Sequence, residues 1–405
     1  MIKIDDYVYA FLHNLDYTQD GYLARWSSLP KRVVDQLDGR WSPTLAAEAP
    51  IHVLESDPIP VEQKDAWRLK EGRWYEIQLG AQGLFVGAFF LGDEVDEREP
   101  QTVRITSLNL LDGRTKIGKN IRKAISLPPE DASVGQIQLA CNKNTYNNLN
   151  LAHYYVGQGD ASAVCDTNWT PLCYFDIGAG SFRNGFTKPR NLKFCWTKRP
   201  AIILSHWDTD HYWGAYFDIK AHKQTWIVPR QAIGPYDLRM VNKILSAGGT
   251  LLVWGNHPSH IDVSFGRIIR CTGTNMNDSG LALIVNFNMS THALLPGDAK
   301  FRFIPGVLNK EFHHLMAPHH GALLNTTRVP VPIGQVKSCV YSFGINNSHY
   351  HPSIVSVNAL MQSEWWTRIN TAGGTVGVRL NSNSSSFRKC YKQFCLQEPK
   401  QLFTL

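Results

Sequence analysis

Residues 204–214 read LSHWDTDHYWG and begin at the end of a short apolar run, AIILS (201–205). The metal-capable side chains of this segment are His206, Asp208, Asp210 and His211. A buried strand that ends in such a loop holds polar groups in fixed geometry at the surface. A mixed nitrogen and oxygen set suits zinc, manganese or iron. The segment therefore predicts a metal-binding loop, with a coincidental polar surface turn as the alternative.

Two later segments repeat this arrangement of an apolar strand, a sharp turn and a side chain that can bind a metal. HALLPGD ends at Asp298, and LMAPHHGA carries the pair His319 and His320. An aspartate after a glycine is most often a turn residue, and a histidine pair most often lies at the surface or in the core. Three such strand ends in one chain are harder to explain by coincidence, so these side chains are candidate ligands.

The first 135 residues predict a small β-rich domain. Three segments have strand-like patterns: WYEIQL (74–79), LFVGAFFLG (84–92) and TVRITSLNLL (102–111). SLPPEDASVG (126–135) has the proline and acidic content of a linker, which places a domain boundary near residue 135. The role of this domain stays open, and binding of a substrate or a protein partner is one interpretation.

Residues 136–405 predict a layered α/β domain. Short apolar runs such as QIQLA (136–140) and VYSFGIN (340–346) are typical of strands. SIVSVNALMQSEWW (353–366) has the apolar spacing of a helix, and NSNSSS (381–386) predicts a turn between strands. Many strands with interspersed helices are typical of layered α/β architecture.

The sequence gives no indication of secretion or of membrane insertion. The longest apolar run, residues 83–92, is shorter than the roughly 20 residues that a bilayer-spanning helix needs. The start, MIKIDDYVYAFLHNL, has early acidic residues and no basic region before its apolar stretch, unlike a signal peptide. The eight cysteines form no C-x-x-C pair. We expect a cytoplasmic protein with reduced thiols in its core and no membrane partner.

Seven motifs occur in order between about residues 150 and 355 of the chain. They are VGQGDA (156–161), FDIGAG (175–180), LSHWDTDHYWGA (204–215), NDSGLALIV (277–285), LLPGDA (294–299), APHHGA (317–322) and SFGINNSHYHPS (342–353). In this order they resemble the metallo-β-lactamase fold superfamily, and most closely the hydrolase domain of ComEC-like DNA-uptake proteins and their stand-alone relatives. TRINTAGGTVGVRL is similar to the closing strands of that family, and the first 135 residues are not covered.

The resemblance implies a four-layer αβ/βα sandwich with a metal site at one edge, preceded here by the small β-rich domain. The implied metal ligands are His206, Asp208, Asp210, His211, Asp298, His319 and His320. Asp298 would bridge two ions or serve the second one, and either His319 or His320 would complete the second site. The residues implied to lie beside the ligands and orient them are Asp160, Asp176, Asn277 and Asp278, with Gln158 shaping the neighbouring turn.

The chain departs from the common H-x-H-x-D-H loop of the superfamily. Asp208 stands where the second histidine would be, as in ComEC-like members, and Asn277 and Asp278 replace a histidine before a later strand. Fewer imidazoles and more oxygens weaken the first site for zinc and make it more tolerant of manganese or magnesium. We expect one or two divalent ions, zinc or manganese, and chemistry on phosphodiesters rather than on β-lactams.

The expected reaction is hydrolysis by a water that divalent ions activate. The candidate catalytic residues are Asp208, Asp210 and His351. The resemblance places His351 near the substrate phosphate or leaving group, where it would donate a proton or stabilise developing charge. An ordinary histidine at a helix start, before Pro352, is the structural alternative. His349 is a second candidate for the same role.

A basic and aromatic segment, residues 181–200, precedes the metal loop, and the whole chain carries a formal net charge of +7. Cations that follow phosphates and rings that stack on bases are what single-stranded nucleic acid binding requires. The candidate nucleic-acid-binding residues are Arg183, Lys188, Arg190, Lys193, Trp196, Lys198 and Arg199. A solvated loop whose rings fill the edge of the domain explains this composition equally well.

Three functions are therefore open. The first is a metal-dependent phosphodiesterase or nuclease acting on DNA, RNA or a smaller nucleotide. The second is a binding or regulatory module with a weakened metal site, and the third is a hydrolase of a non-nucleotide ester. The lost imidazoles favour the second function, whereas the retained histidines and aspartates favour the first. Metal content and turnover distinguish them.

Overall fold

Many strands and few helices make up the computed structural model, which describes residues 4–18, 20–91, 100–141, 148–255, 257–324, 328–335, 337–379 and 401–404. The strands are β1 (Tyr7–Thr18), β2 (Gly21–Pro30), β3 (Ile51–Ser56), β4 (Arg73–Gly80), β5 (Leu84–Leu91), β6 (Gln101–Leu110), β7 (Asn150–His153), β8 (Ala161–Cys165), β9 (Pro171–Ile177), β10 (Ala201–Ile203), β11 (Thr225–Pro229), β12 (Thr250–Trp254), β13 (His260–Val263), β14 (Gly266–Arg270), β15 (Leu281–Asn286), β16 (His292–Leu295), β17 (Glu311–Phe312), β18 (His314–Met316), β19 (Val331–Pro332), β20 (Ser338–Tyr341), β21 (Thr367–Asn370), β22 (Val376–Arg379) and β23 (Gln401–Thr404). The helices are α1 (Lys31–Val34), α2 (Leu45–Glu48), α3 (Val61–Ala66), α4 (Lys116–Ala124), α5 (Val134–Cys141), α6 (Thr209–Tyr212), α7 (Gly214–Phe217), α8 (Pro235–Ser246) and α9 (Ile354–Gln362). The predicted turn at 381–386 lies outside the described residues.

The chain forms two compact units. One comprises Met1–Pro129 with Gln231–Ser246, and the other comprises Glu130–Arg230 with Ala247–Leu405. The first division lies near residue 135, where the sequence predicts a domain boundary. Nothing in the sequence pattern indicates that the segment containing α8 joins the N-terminal unit.

The N-terminal unit is built on a closed barrel with strand order β1–β2–β3–β5–β6–β4. Alternate residues of β1, namely Val8, Ala10 and Leu12, lie in its core, as the two-residue period of a strand requires. Trp26 of β2 and Tyr75 of β4 fill the same core. The three strands predicted from the sequence in this unit are confirmed as β4, β5 and β6.

The second unit contains two large sheets whose inner faces share one core. The strand orders are β12–β11–β10–β9–β8–β7–β22–β23 and β13–β14–β15–β16–β18–β20–β21. Leu151, Phe175 and Ile203 of the first sheet are buried in one cluster with Leu283 and Leu295 of the second. Removal of this apolar surface from water is the main force that holds the sheets together.

The outer face of the second sheet carries α9. Ile284 and Leu294 pack there in one buried cluster with Leu360 of α9. The helix predicted over 353–366 is confirmed over a shorter range, and the Ser353 hydroxyl caps it by accepting a hydrogen bond from the Val355 amide. The mixed α/β class is confirmed. Within the described ranges, none of the helices has the length and apolar character needed to cross a membrane.

One predicted strand is wrong, because QIQLA (136–140) lies in α5. The Ser133 hydroxyl accepts a hydrogen bond from the Gln136 amide, and the Gln136 side chain accepts one from the Ser133 amide at 2.8 Å. This reciprocal pair satisfies two amides that a helix start would otherwise leave without partners. Ile137 and Cys141, four residues apart, then form the buried face of α5.

Candidate metal centre

The predicted metal-binding side chains follow strands of the two sheets of the second unit. β9 and β10 are parallel neighbours in one sheet, and β16 and β18 are parallel neighbours in the other. Since the carboxyl ends of parallel neighbours lie at the same edge of a sheet, the loops that follow them are close together. His206, Asp298 and His320 each lie shortly after one of these strands.

Four buried side chains form the centre of the site: Asp160, His211, Asp298 and His320. One ligand atom from each residue lies within 4.8 Å of the others, so the cluster could hold a metal ion. The general expectation of a metal-capable site is thus confirmed. Asp160 contributes to the cluster itself, whereas the sequence had suggested for it a position beside the ligands.

Three further predicted ligands border this cluster. His206 Nε2 and His319 Nε2 lie 3.6 Å and 3.4 Å from Asp298 Oδ2. Asp210 Oδ2 lies 3.0 Å from His320 Nε2. The two adjacent histidines therefore face different carboxylates, His319 towards Asp298 and His320 towards Asp210.

Hydrogen bonds determine which nitrogen of two imidazoles faces the cluster. His211 Nδ1 donates to Asp176 Oδ2 at 2.8 Å, and His320 Nδ1 donates to the Ser342 carbonyl at 2.9 Å. Because these partners are acceptors, each neutral ring carries its lone pair on Nε2. His211 Nε2 lies 3.1 Å from Asp298 Oδ1. Two acceptors at this distance repel each other unless a proton or a cation lies between them.

Several buried polar atoms of the site have no hydrogen-bond partner within the described part of the chain. They are both carboxylate oxygens of Asp160, Oδ1 of Asp298 and the Nε2 atoms of His206, His211 and His320. An unsatisfied buried polar group costs about 1–3 kcal/mol. A coordinated cation would remove this cost for several of them at once, so the donor set fits a metal ion.

Opposite charges in the site offset the cost of burying each charged group. Burial acts to raise the pKa of Asp298, but His211, His319 and His206 together lower it well below its usual range. Burial acts to lower the pKa of His211, but Asp298 and Asp176 raise it well above its usual range. Burial lowers the pKa of His206 to about 3. The carboxylate at the centre is therefore ionised, and His206 is neutral, as a ligand must be.

Asp176 holds the strand end and one ligand together. Its Oδ1 accepts a hydrogen bond from the Ser205 amide at 2.6 Å, and its Oδ2 accepts the one from His211. Burial raises the pKa of Asp176 to about 6, against the lowering effect of His211. Its backbone is left-handed, with φ of 59°, which costs roughly 1–3 kcal/mol for a residue other than glycine. Such strain persists where the surrounding structure requires one side-chain direction.

Asp208 caps the short helix that carries two ligands. It is the N-cap of α6, and its Oδ1 accepts a hydrogen bond from the Thr209 amide at 2.7 Å. Aspartate is among the residues that favour this position. Asp208 lies outside the four-residue cluster and holds Asp210 and His211 through the helix. Gly178 lets this turn pack closely, since a β-carbon there would lie 1.7 Å from the Asp210 carbonyl oxygen.

The turn that carries His319 and His320 is strained. Both residues have left-handed backbones, with φ of 50° and 55°. Gly321 follows with φ of 85°, and a β-carbon there would lie 2.6 Å from Cβ of Pro352. Consecutive left-handed residues place both imidazoles on the side of Asp298, which an extended strand would not do because its side chains alternate.

Asp278 and Asn277 occupy the turn before β15. Both are buried, and the Asp278 carboxylate binds the Lys300 ammonium at 3.1 Å and accepts a hydrogen bond from the Lys300 amide. Asn275 Nδ2 donates to the same carboxylate at 3.0 Å. Asp278 is therefore held in an ion pair with Lys300.

His351 lies at the border of the cluster. Its ring is 5.4 Å from that of His319 and is stacked at 6.1 Å on that of His320. Gln158 Nε2 lies 3.3 Å from His351 Nδ1 and holds the ring in place. His349 lies farther along the same loop, with its ring 5.4 Å from that of His351. His320, His351 and His349 therefore form a row of neighbouring imidazoles.

Most rings of the segment 181–200 serve the packing of the second unit. Trp196 Nε1 donates to Asp218 at 2.9 Å, and its ring packs on Tyr174. Lys198 forms an ion pair with Asp166 at 2.6 Å, and Lys188 lies over the ring of Phe217. Other predicted nucleic-acid contacts are exposed: Arg190, Lys193 and Arg199. Arg183 is half-buried.

Sequence reasoning did not single out three groups that contact the site or its border. Ser205 Oγ lies 3.0 Å from His206 Nδ1 and 3.2 Å from His211 Nδ1. Ser342 contributes a main-chain carbonyl, a group that every residue has and that the sequence therefore cannot single out. Lys300 binds Asp278 and follows Asp298 closely in the chain. Of the three, only Ser205 has a recognisable feature in the sequence, because its hydroxyl follows an apolar run.

Comparisons with known proteins add no family to this description. No model of a known protein family matches the chain, and a search of curated proteins finds no significant match. The resemblance to the metallo-β-lactamase superfamily therefore depends on the seven motifs alone.

Proposed function

We propose that the chain is a metal-dependent phosphodiesterase whose second unit is a four-layer αβ/βα sandwich of the metallo-β-lactamase superfamily. The observation that carries the proposal is the buried aspartate and histidine cluster at the strand ends, in which His211 Nε2 lies 3.1 Å from Asp298 Oδ1. Two sheets with a shared core and a helix on one outer face support the sandwich.

The two oxygens of Asp298 divide the ligands into two sets. Oδ2 faces His206 and His319, and Oδ1 faces His211. His320 and its carboxylate neighbours complete the second set. Each set combines imidazole nitrogen with carboxylate oxygen, a composition that suits zinc or manganese. Asp298 would contribute one oxygen to each set of ligands.

Charge balance favours two divalent ions over one. Five buried carboxylates belong to the site and its supports: Asp160, Asp176, Asp208, Asp210 and Asp298. One divalent ion would leave most of this negative charge, which repels an anionic phosphodiester, whereas two would neutralise most of it. Protons on His211 and His320 offset part of this negative charge. Bound ions would replace those protons.

Individual side chains of the site would have distinct roles in hydrolysis. A divalent ion supplies a Lewis acid that lowers the pKa of a water towards about 7 and stabilises charge on a phosphoryl oxygen. Asp208 positions Asp210 and His211 through the α6 cap. The oxygen of the attacking water would bond to phosphorus and its proton would pass to solvent, while the bond to the leaving oxygen breaks and that oxygen takes a proton from solvent. Gln158 Nε2 donates to His351 Nδ1, which leaves the ring proton on Nε2, where it would stabilise the charge on the leaving oxygen.

The exposed cations of the segment 181–200 support a nucleic acid or a nucleotide as the substrate. Arg190, Lys193 and Arg199 are exposed. Cations of this kind bind phosphates in a salt-dependent manner.

A binding or regulatory module is the second candidate function. The Asp278–Lys300 ion pair favours it, because a histidine ligand of the first metal site is replaced there. Hydrolysis of a non-nucleotide ester is compatible with the same cluster but leaves the exposed cations without a role.

Metal removal and reloading test the proposal. Protein stripped by a chelator and reloaded with Zn²⁺ or Mn²⁺ should hydrolyse bis(p-nitrophenyl) phosphate and a fluorescent oligonucleotide, and stripped protein should not. Asp210→Ala and His211→Ala should lower kcat by more than about 100-fold, since loss of an outer partner alone costs about 10–100-fold. Asp262→Ala removes an exposed carboxylate of the same unit and should leave kcat unchanged.

The alternatives give different results in this experiment. Metal binding without turnover of either phosphodiester would identify a regulatory module, and turnover of carboxylic esters alone would identify another hydrolase. Full activity of Asp210→Ala without bound metal would contradict the mechanism.

A further inference from the structure

Exposed apolar side chains gather on two segments beside His351. Their exposures are Phe186 67%, Ile345 59%, Tyr350 63%, Ile354 69% and Val355 52%. Large apolar side chains that are exposed singly need no explanation, but a contiguous group marks a binding surface. These residues belong to a short 3₁₀ helix at Phe182–Thr187 and to the loop and helix start at 345–355.

The two segments are in direct contact. Asn184 Oδ1 accepts a hydrogen bond from the Ser348 amide at 2.7 Å. Gly344 allows a close approach, because a β-carbon there would lie 2.4 Å from Cβ of Thr187. Gln158 joins both segments, since its amide donates to Thr187 Oγ1 and its Oε1 accepts from the Gly344 amide. Phe186 and Tyr350 therefore border one surface.

This surface adjoins the metal centre. Gln158 is two residues from Asp160, and its side-chain amide also contacts His351. The start of α9 is tied to the histidine turn, because the Ser353 amide donates to the Gly321 carbonyl at 2.8 Å. Tyr350, with a left-handed φ of 58°, immediately precedes His351. A ligand whose phosphate lies at the metal centre would thus extend over exposed rings.

We propose that Phe186 and Tyr350 stack on unpaired bases of a single-stranded nucleic acid whose phosphodiester lies at the metal centre. This inference rests on the phosphodiesterase function proposed above. Rings that accept base faces, with cations beside them, are the recurrent features of single-strand binding. Arg190 supplies an exposed cation four residues from Phe186. Duplex ends and backbones offer fewer free base faces, so single strands are preferred.

Binding of a hydrolysis-resistant phosphorothioate oligothymidylate by the metal-loaded protein tests the inference apart from catalysis. Fluorescence anisotropy with a labelled oligothymidylate should give a Kd that rises about tenfold or more in Phe186→Ala and in Tyr350→Ala, with little change for a hairpin duplex. Trp366→Ala is the matched control. Trp366 is 65% exposed and lies just before the first residue of β21. The last residue of β21, Asn370, pairs with Tyr341 at the edge of the site, so Trp366 is at the opposite end of the strand. Its loss should not change Kd.

Activity distinguishes failure of the inference from failure of the proposed function. The two variants should raise KM for a single-stranded oligonucleotide about tenfold and change KM for a hairpin duplex little. Unchanged Kd and KM for single strands would overturn the inference while phosphodiesterase activity stood. Loss of binding to anionic phospholipid vesicles, with oligonucleotide binding unaffected, would also overturn it and assign the surface to membranes. Absence of metal-dependent turnover in the wild type would count against the proposed function alone.

Discussion

At the scale of the residue, Asp176 supports the metal site without belonging to the ligand cluster. Asp176→Asn keeps the volume but offers one acceptor where the Ser205 amide and His211 Nδ1 need two. An amide group turned towards His211 would favour the tautomer with hydrogen on Nε2, which cannot bind a metal. We expect metal affinity to fall about 10–100-fold. Competition with a chromophoric chelator measures this change.

A matched substitution makes that result specific. Asp166→Asn alters a carboxylate of the same unit that pairs with Lys198 at its surface. It should leave metal affinity at the wild-type value. Equal affinity of Asp176→Asn and wild type would show that His211 is oriented by other contacts.

The ligands could be predicted because their residue types and positions report their chemistry. His206, Asp298 and the pair His319–His320 are polar groups that follow apolar strands, and such groups stand out in a sequence. The contribution of Asp160 to the cluster could not be predicted, because it depends on how close a separate loop approaches His320. Equally, an aspartate that caps a helix and one that binds a metal look alike, so the capping role of Asp208 emerges only from its bond to the Thr209 amide.

At the scale of the element, α8 is the segment whose unit the sequence did not indicate. Buried Arg239 of α8 donates to the carbonyls of Ala49 and Leu91, within the barrel unit. Tyr236 stacks on His13 of β1 at 3.8 Å between ring centroids. An amphipathic pattern predicts that a helix packs on something but does not identify the partner, because many apolar surfaces are equivalent to it. Similarly, the helix over 136–140 depended on a cap outside the apolar run.

Removal of the Arg239 guanidinium should destabilise the N-terminal unit. Arg239→Ala leaves two buried carbonyls without these donors, and we expect a loss of about 2–4 kcal/mol in the free energy of unfolding. Urea denaturation followed by fluorescence measures it. Leu245→Ala, at a more exposed position of the same helix, should change the free energy by less than about 0.5 kcal/mol. Equal stability of the two variants would mean that α8 contributes little to the barrel unit.

At the scale of the whole molecule, a pair of buried histidines links the two large sheets of the second unit. His153 Nε2 of β7 lies 2.8 Å from His314 Nε2 of β18. Their Nδ1 atoms contact Ser162 Oγ and Ser338 Oγ at 2.8 Å and 2.7 Å. One Nε2 must donate and the other must accept, so at least one ring is neutral. Burial lowers the pKa of His153 to about 3, and burial together with His153 lowers the pKa of His314 well below its usual range.

This pair should make the protein sensitive to acid. Above the unfolded pKa of about 6.5 neither state takes up these protons, so the stability is fully present. As the pH falls from 6.5 towards 3, the unfolded chain binds protons that the folded pair excludes. The free energy of unfolding then falls by about 1.4 kcal/mol per pH unit for each histidine. Urea unfolding of chelated protein between pH 7 and pH 5 measures the slope.

A double substitution isolates the contribution of the pair from that of the metal-site histidines. His153→Leu with His314→Leu removes both partners together, which avoids leaving one ring unsatisfied. Below pH 6.5 the unfolding free energy of the double variant should fall less steeply with decreasing pH than that of the wild type. The difference in slope should correspond to about two fewer protons taken up on unfolding, since neither leucine titrates in the unfolded chain. The same slope in both proteins would mean that the folded pair takes up protons as readily as the unfolded chain does. The link between the sheets would then be an ordinary contact rather than one that requires neutral rings.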